Sequence, residues 1–377
     1  MLRCTRNDGV IDSYLYMILK EVYNSRFLQN LSQTITKFDK KFDQKSFLEI
    51  GKNKSWAEKS LKQRMRAIVL ALDESLSGKD FQQKVEVLKK AAITLSRNKN
   101  SALALIIFPD FIEVFGMQDF DYSMSALEFF TEFGSSEFAV RQFIKSDQKR
   151  ALKFIKKWTK SKNHHVRRLA SEGIRPALPW GEALVAFKKN PTEILLILEE
   201  LKHDEEIYVR KSVANNLNDI SKNQPELIID LLKKWQQQKV SPTLIKHALR
   251  TLLKKGNQQA LALIGIKNNP NFTIQSFALQ KNAIKMSENL VFDFLLENKE
   301  QNNKIRLEYA LYFLQKNQSH FKKIFQITTK DFPQGNFVFS KKHSFREITT
   351  RKYNKGLHAI SLVANGIELT KLQFELI

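Results

Sequence analysis

Two eleven-residue stretches of the chain resemble each other, and this similarity constrains the fold more than any other feature. HHVRRLASEGI (residues 164–174) and IYVRKSVANNL (residues 207–217) place Val166 and Val209 43 residues apart, and a looser copy, LIKHALRTLL, places Ile245 a further 36 residues on. Apolar residues recur at intervals of three and four, which predicts helices. A helical unit that repeats at this length buries its apolar side against its neighbours, as in an α-solenoid. The alternative is an ordinary helical domain with chance similarity.

The chain changes character near residues 268–270. Before them, helical patterns follow one another with short polar breaks, and several begin at a proline, such as Pro191, Pro225 and Pro242. After them, short aromatic and β-branched runs alternate with period two, which is typical of a β-sandwich. We therefore expect a mainly α protein, with a HEAT-like α-solenoid over residues 1–268 followed by an all-β sandwich over residues 271–377.

The composition limits the partners and the compartment. The 377 residues include 62 Lys and Arg against 39 Asp and Glu, a net charge of +23, and most of this excess lies before residue 271. A folded, strongly basic chain indicates a polyanionic partner bound mainly by the helical part. The only cysteine is Cys4, which excludes a disulfide framework and a thiolate metal site. No apolar run could span a membrane, and acidic residues interrupt the N-terminal segment where a signal peptide would be apolar, so we expect a cytoplasmic protein.

The stretch SEGIRPALPW (residues 171–180) is the most informative motif. Its two prolines predict the end of a helix, and Arg168, Glu172 and Arg175 lie one turn apart along that helix. Guanidinium groups bind phosphates well, while a carboxylate between them is suited to face something positive. The alternative interpretation is a surface salt bridge followed by a proline loop.

Two further acidic residues are candidates for the same surface. Asp219 lies near the end of the next repeat helix, where the helix dipole disfavours an anion, so a role beyond helix stability is expected. Glu137 begins the predicted helix EFAVRQFI after two serines. A carboxylate at that position is also favoured simply as a first-turn residue, and this alternative stays open for Glu137.

Basic residues recur on the polar sides of successive predicted helices, and Arg210 and Lys211 are among them. We expect some of these side chains to bind phosphates, although any single one is as well explained as a solvated surface residue. The adjacent histidines His164 and His165 have no further ligand at a zinc-like spacing. We therefore expect no metal site.

The motif SEGIRPALPW and the C-terminal segment KKHSFREITTRKYNKGLHAISLVANGIEL together resemble the AlkC-type DNA glycosylases of the HEAT-like alkylation-repair superfamily, over most of the chain from Trp56 onward. The resemblance implies that the solenoid holds duplex DNA on its concave face and that the β-sandwich is an immunoglobulin-like domain. It also implies roles for individual residues. The acidic positions at the lesion correspond to Glu137, Glu172 and Asp219, the aromatic residue of the motif to Trp180, the residues that hold the DNA backbone to Arg168 and Arg175, and a DNA-probing loop to the segment with Arg351 and Lys352.

From this resemblance we expect a monofunctional DNA glycosylase that excises cationic N3-alkylated bases, 3-methyladenine and 3-methylcytosine, from duplex DNA. It would act as a monomer, without cofactor or membrane, on the DNA of a bacterial cytoplasm. One alternative is a HEAT-repeat module that binds nucleic acid without catalysis. Another is a repeat scaffold for acidic proteins. A pure polyanion binder gains nothing from carboxylates on its basic surface, so the acidic residues distinguish these possibilities.

Overall fold

The computed structural model describes residues 19–52, 54–98, 101–267, 271–346 and 353–377. By contacts between residues, the chain divides into two compact units, Met1–Asn223 and Gln224–Ile377. The first unit is helical in its described residues, and the second contains four helices followed by strands. The predicted order of helices followed by an all-β region is confirmed.

The first unit contains twelve helices within its described residues. They are α1 (Ser25–Phe38), α2 (Gln44–Glu49), α3 (Leu61–Ser75), α4 (Phe81–Ser96), α5 (Ile107–Phe115), α6 (Phe120–Phe130), α7 (Val140–Ser146), α8 (Gln148–Trp158), α9 (His164–Glu172), α10 (Val185–Lys189), α11 (Thr192–Leu201) and α12 (Ile207–Ile220). Single turns of 3₁₀-helix lie at Glu21–Tyr23, Ile50–Lys52, Lys54–Trp56 and Ala104–Ile106.

Helix starts follow local capping chemistry. Ser60 and Gln63 form a reciprocal capping box at α3, which is why this helix begins at Leu61. Asn163 accepts a hydrogen bond from the backbone N–H of His165 and caps α9. Helix α7 begins at Val140, so Glu137 lies ahead of it, in the turn before the helix, and the predicted helix that starts at Glu137 is wrong by three residues.

The two similar stretches form helices α9 and α12, which pack directly against each other, and α11 packs against both. Val166, Val209 and Val213 are buried at this junction, as their shared positions in the repeat predict. The polar ends of the two helices, with Glu172 and Asp219, therefore belong to one compact unit.

The second unit begins with helices α13 (Pro225–Gln237), α14 (Pro242–Ala248), α15 (Arg250–Lys254) and α16 (Gln258–Leu263). Pro225 and Pro242 occupy first-turn positions, where a missing N–H costs no helical hydrogen bond. The helical pattern that begins at Pro242 is not one continuous helix, because it divides into two short helices at Leu249.

Eight strands complete the second unit: β1 (Phe272–Leu279), β2 (Ala283–Ile284), β3 (Asn289–Asn298), β4 (Asn303–Leu314), β5 (His320–Phe332), β6 (Gly335–Ser344), β7 (Gly356–Ala364) and β8 (Ile367–Leu376). They form a three-stranded sheet, β1-β3-β6, and a five-stranded sheet, β2-β8-β7-β4-β5. Side chains from both sheets, among them Phe292, Phe294, Leu311 and Ile360, form one apolar core. The aromatic runs identified in the sequence lie in β3, β4, β6 and β7.

The helical pattern ends with α16 and the first strand begins at Phe272, which brackets the predicted domain limits of residues 268 and 271. Contacts group the chain differently, because helices α13–α16 belong to the same compact unit as the strands. Residues 268–270 lie outside the described residues, and the predicted domain limits stay a prediction.

Candidate active site

The loop that follows α9 (residues 173–184, the α9–α10 loop) contains most of the motif SEGIRPALPW. Helix α9 ends at Glu172, and Gly173 follows it, where a β-carbon would lie only 2.7 Å from Val140 Cγ1. Any larger residue would push the end of α9 away from α7. The loop therefore starts at a point of close helix packing, and its first residues are buried.

Arg175 joins the ends of the two repeat helices. Its Nη1 donates to Oε1 of Glu172 at 2.6 Å, and its Nε donates to Oδ2 of Asp219 at 2.8 Å. The side chains of Arg175 and Asp219 are each 2% exposed, and that of Glu172 is 6% exposed. Glu172 and Asp219, which are far apart in the sequence, thus share one buried guanidinium group.

Arg168 connects the third acidic residue to this pair. Its Nη1 lies 2.7 Å from Oε2 of Glu137, and its Nη2 lies 3.6 Å from Oε1 of Glu172. The guanidinium carbon also lies 4.8 Å from the centre of the Tyr208 ring, a cation–π contact. The structure therefore brings together Glu137, Glu172 and Asp219, hereafter the carboxylate cluster, with the two predicted arginines.

Each acidic residue of the cluster has additional partners. Oε2 of Glu172 accepts a hydrogen bond of 2.6 Å from the Ser212 hydroxyl, and Oδ1 of Asp219 accepts one of 3.0 Å from Lys222 Nζ. Ser135 donates to Glu137 at 3.0 Å. The Asp219 side chain is 2% exposed beside a Lys222 side chain that is 43% exposed, while Glu137, at 15%, is the most exposed of the three carboxylates.

The electrostatics of the cluster favour charged forms. Burial acts to raise the pKa of Glu172, but Arg168, Arg175 and the Ser212 hydrogen bond outweigh it and hold that pKa below its ordinary value. Burial opposes the charge on Arg175, yet the two carboxylates beside it raise its pKa overall. Glu172 and Arg175 therefore stay ionised at neutral pH because they are paired and hydrogen-bonded.

Two cations from distant elements fix the α9–α10 loop. Arg141, which is 1% exposed, donates through Nη1 to the carbonyls of Gly173 and Arg175 at 2.9 Å each and through Nε to the carbonyl of Glu182 at 2.7 Å. Burial and the nearby Arg175 lower the pKa of Arg141 to about 10, so it stays protonated. Lys62, from α3, donates to the carbonyl of Trp180.

Trp180 is half-buried at the end of the motif and has a φ of 65°, a left-handed conformation that a tryptophan rarely adopts. Lys62 Nζ binds its carbonyl and also lies 4.9 Å from the centre of the Phe138 ring, next to Glu137. The strained backbone of Trp180 is thus anchored beside the turn that carries Glu137. The predicted contact of Trp180 with DNA stays a prediction.

The other predicted DNA-binding residues lie elsewhere. Arg210 is half-buried and uses Nη1 to bind the carbonyls of Asp204 and Glu205, which closes the start of its own helix. Lys211 is exposed. Arg351 and Lys352 lie outside the described residues.

Sequence reasoning missed Tyr208, Ser212, Arg141 and Lys222 as parts of this site. The repeat offered a signal for one of them, since Tyr208 occupies the position of His165 in the preceding copy. The partners of Ser212 lie 40 or 41 residues away along the chain, and those of Arg141 lie 32 to 41 residues away. No local sequence pattern therefore marks either residue. Only the folded chain shows these contacts.

The arrangement can stabilise positive charge close to a polyanion. Its three carboxylates lie in a strongly basic chain, and Lys222, whose side chain is 43% exposed, lies beside Asp219. Among the described residues, no group of His, Cys, Asp and Glu side chains is arranged to hold a metal ion. Nor does any helix of the described residues have the length and apolarity of a membrane span.

A basic helical repeat with buried carboxylates at its helix ends, followed by a β-sandwich, defines a class of nucleic-acid-directed repair protein, and two family models agree with this class. One, described as DNA alkylation repair enzyme, matches residues 131–252, which include the whole carboxylate cluster. The other, described as the C-terminal Ig-like domain of uncharacterised protein YhaZ, matches residues 273–377. The immunoglobulin-like class of the β-sandwich is thereby confirmed.

Two relatives match nearly the whole chain. Uncharacterized protein YhaZ of Bacillus subtilis (strain 168) is 38% identical over 359 residues, which are 95% of this chain and 99% of YhaZ. The solved structure of the alkylpurine DNA glycosylase AlkC of Pseudomonas fluorescens, bound to DNA containing an abasic site analog, is 34% identical with a TM-score of 0.90, over 95% of this chain and 99% of AlkC. This chain belongs to the AlkC-type family of HEAT-like DNA alkylation repair enzymes.

Proposed function

We propose that this protein is a DNA glycosylase that hydrolyses the N-glycosidic bond of cationic N3-alkylated bases, namely 3-methyladenine and 3-methylcytosine, in duplex DNA. The observation that carries the proposal is the pairing of Glu172 and Asp219 through the buried Arg175 at the junction of the two repeat helices. The family and the alkylpurine glycosylase activity named for AlkC support it.

The chemistry of the substrate matches the charges of this site. Alkylation at N3 makes the base cationic, so it is already a good leaving group and needs no acid catalyst. The enzyme must stabilise the positive charge that develops on the deoxyribose and deliver water to C1′. Carboxylates perform both tasks for oxocarbenium-like transition states.

The residues have distinct proposed roles. Glu172, whose oxygens are held by Arg175 and Ser212, is oriented for electrostatic stabilisation. Asp219, which accepts a hydrogen bond from the partly exposed Lys222, orients the water. Glu137 assists from its turn, and Trp180 packs against the nucleotide that carries the lesion.

The remaining proposals concern the setting of the reaction. Arg168, Arg175, Lys211, Arg351 and Lys352 hold the DNA backbone or probe the duplex. The bonds of Arg210 to carbonyls of the turn before its own helix account for its position, and its phosphate contact stays a prediction. The net charge of +23 supplies the long-range attraction for DNA. The protein acts as a monomer in a bacterial cytoplasm on nucleoid DNA, without a cofactor, and forms no covalent bond with the abasic site.

The test is a base-release assay. Purified protein is incubated with duplex DNA methylated by methyl methanesulfonate, and released bases are identified by chromatography. We expect free 3-methyladenine and 3-methylcytosine from the wild type, and a loss of about a hundredfold in rate for Glu172→Gln and for Asp219→Asn. Full turnover by both variants, with normal folding by circular dichroism, would contradict the residue assignment.

The same assay separates the non-catalytic alternative. A binding module would retain methylated DNA without releasing any base, and it would bind DNA more tightly when Glu172 or Asp219 is neutralised. A protein that ignores DNA altogether would instead be a scaffold for acidic proteins. Either result would contradict the proposed activity.

A further inference from the structure

Trp180 occupies a position in a tight turn where tryptophan is unfavourable. The backbone N–H of Gly181 donates to the carbonyl of Leu178 at 3.1 Å, which closes a turn with Pro179 and Trp180 at its two central positions (the 178–181 turn). Proline at the first central position and a φ of 65° at the second are those of a type II turn, in which the second residue is usually glycine or asparagine. A tryptophan keeps such a conformation only where its surroundings hold it.

Arg141 fixes the two ends of the 178–181 turn. A β-carbon at residue 181 would lie 3.0 Å from Leu178 Cδ2 and 3.4 Å from Arg141 Nε, so the turn packs closely against this guanidinium group. Arg141 also binds the carbonyl of Arg175 before the turn and that of Glu182 after it. None of these contacts of Arg141 involves Trp180 itself.

Lys62, from helix α3, binds the turn at Trp180. Its Nζ donates to the Trp180 carbonyl and lies 4.9 Å from the centre of the Phe138 ring, a cation–π contact. Phe138 directly follows Glu137, a member of the carboxylate cluster. Lys62 therefore joins the strained residue of the α9–α10 loop to the turn that carries Glu137, although it lies 118 residues before Trp180 in the chain.

The helix that carries Lys62 is itself held in place. Arg66, one turn further along α3, forms a forked pair with Asp110 of α5, in which Nε donates to Oδ2 at 3.0 Å and Nη2 to Oδ1 at 2.9 Å. Nη2 also donates to Glu113 at 3.1 Å. Burial raises the pKa of both carboxyl groups, while the positive charge of Lys62 acts to lower it, so Lys62 lies within their field. Lys62 thus extends from a clamped helix towards the 178–181 turn.

The alternative is that Lys62, an exposed residue, is a phosphate ligand with no effect on Trp180. A lysine whose only task is to bind phosphate needs neither a main-chain acceptor nor an aromatic face. Lys62 has both, and its acceptor is the carbonyl of the one residue of the 178–181 turn with a positive φ. These contacts favour a positioning role.

We infer that Lys62 is a positioning residue, which holds the main chain of Trp180 so that the indole ring is directed at the nucleotide that carries the lesion. This inference rests on the proposed function and adds to it a contribution from α3, which lies outside residues 131–252, the segment that matches the DNA alkylation repair enzyme model. Lys62 acts through Trp180 and contacts no reacting atom. The helices before residue 131 therefore help to present the aromatic residue of the motif.

Fluorescence measured without DNA tests the positioning role. The contribution of Trp180 is obtained by subtracting the emission of a matched Trp180→Phe protein, and its quenching by acrylamide is compared in the wild type, Lys62→Met and Lys62→Arg. We expect the quenching constant of Trp180 to rise about twofold in Lys62→Met, because a contact that holds the strained turn is lost. Lys62→Arg keeps a donor and a cation for the Phe138 ring and should resemble the wild type. Unchanged quenching in a folded Lys62→Met would overturn the inference.

Base release at saturating enzyme, under single-turnover conditions, measures the consequence. Lys62→Met should release 3-methyladenine about tenfold more slowly, because a misplaced contact group lowers the rate even when the substrate is bound. Lys62→Arg should stay within about threefold of the wild type. The matched control is Lys90→Met, which removes the same charge from an exposed lysine of α4 and should keep the wild-type rate. A loss of DNA affinity with the saturated rate unchanged would make Lys62 a phosphate ligand and overturn the inference.

A double-mutant cycle shows whether Lys62 acts through Trp180. Added to Trp180→Ala, Lys62→Met should cost less than about twofold in rate, because the group that it positions is already absent. A further loss of about tenfold in the double variant would assign Lys62 another route of action and overturn the inference. If the wild type releases no base, the proposed function fails, and the fluorescence measurement still decides whether Lys62 positions Trp180.

Discussion

Helices α9 and α12 are two copies of one repeat, and they share one arginine position but differ at the acidic one. Arg167 in α9 donates to the carbonyls of residues 161 and 162, and Arg210 in α12 donates to those of residues 204 and 205. Both arginines close the turn that precedes their own helix. This position is therefore part of the scaffold, and the bonds of Arg210 explain its presence without DNA.

The two copies differ in residue type at two further repeat positions. Arg168 corresponds to Lys211, and Glu172 corresponds to Asn215. Only the α9 copy places a guanidinium and a carboxylate in a buried cluster, whereas Lys211 is exposed. The comparison teaches that a repeat keeps its structural polar groups in register, while at positions 172 and 215 only the α9 copy carries a charge; the α12 copy contributes Asp219 from another position.

Substitution of Arg175, which pairs with an acidic residue of each copy, should have the largest effect on the free energy of unfolding. Arg175→Met leaves Glu172 and Asp219 buried without their shared cation, so we expect a loss of about 3–5 kcal/mol in the free energy of unfolding. Urea denaturation measures it. In the triple variant with Glu172→Gln and Asp219→Asn, much of the loss should be recovered. No recovery would show that Arg175 stabilises the fold by packing alone.

Substitution of Arg167 and of Arg210, which share one repeat position, should lower the free energy of unfolding by unequal amounts. Arg167 also pairs with Asp204 at 2.6 Å, and the Asp204 side chain is 4% exposed, so Arg167→Met should cost about 3 kcal/mol. Arg210→Met removes only hydrogen bonds to carbonyls and should cost about 1 kcal/mol. Base release per folded molecule should be unchanged for Arg210→Met. A large loss of activity in that variant would assign Arg210 to DNA binding.

Glu172 can ionise and its counterpart Asn215 cannot, so the free energy of unfolding should depend on pH through Glu172. The folded-state pKa of Glu172 lies below its ordinary value of 4.5, so its stabilisation is complete above that value and is lost as the pH falls through the lower, folded-state pKa. Between about pH 6 and pH 3, the wild type should lose more free energy of unfolding than Glu172→Gln does. Parallel pH profiles would contradict the pairing of Glu172 with the arginines.

Lys211 should show the smallest effect. If this exposed lysine binds one phosphate, Lys211→Ala weakens DNA binding by about two- to fivefold and reduces the slope of log K against log salt by about 0.9. Fluorescence anisotropy at several salt concentrations measures both. An unchanged slope would mean that Lys211 is outside the DNA contact surface.

The sequence was sufficient for the parts of the molecule with local periodicity. The 43-residue repeat predicts the packing of α9 on α12, and the one-turn spacing of Arg168, Glu172 and Arg175 predicts their contacts. The period of two after residue 270 predicts the strands. Asp219 could be added because the repeat places it at the equivalent end of the next helix.

The sequence was not sufficient where a contact joins distant residues. Arg141 binds carbonyls of a loop 32 to 41 residues away, and Lys62 binds Trp180 118 residues away. These bonds depend on tertiary packing and leave no spacing to detect.

The central claim is that Glu172 of the α9 copy is catalytic whereas its neutral counterpart Asn215 in α12 is not, and a matched pair of variants tests it most directly. The rate of 3-methyladenine release under single-turnover conditions is measured for Glu172→Gln and for Asn215→Ala, which change the same position in the two copies. The account predicts a loss of about a hundredfold for Glu172→Gln and less than about twofold for Asn215→Ala. Equal rates for Glu172→Gln and the wild type, with both proteins folded, would contradict it.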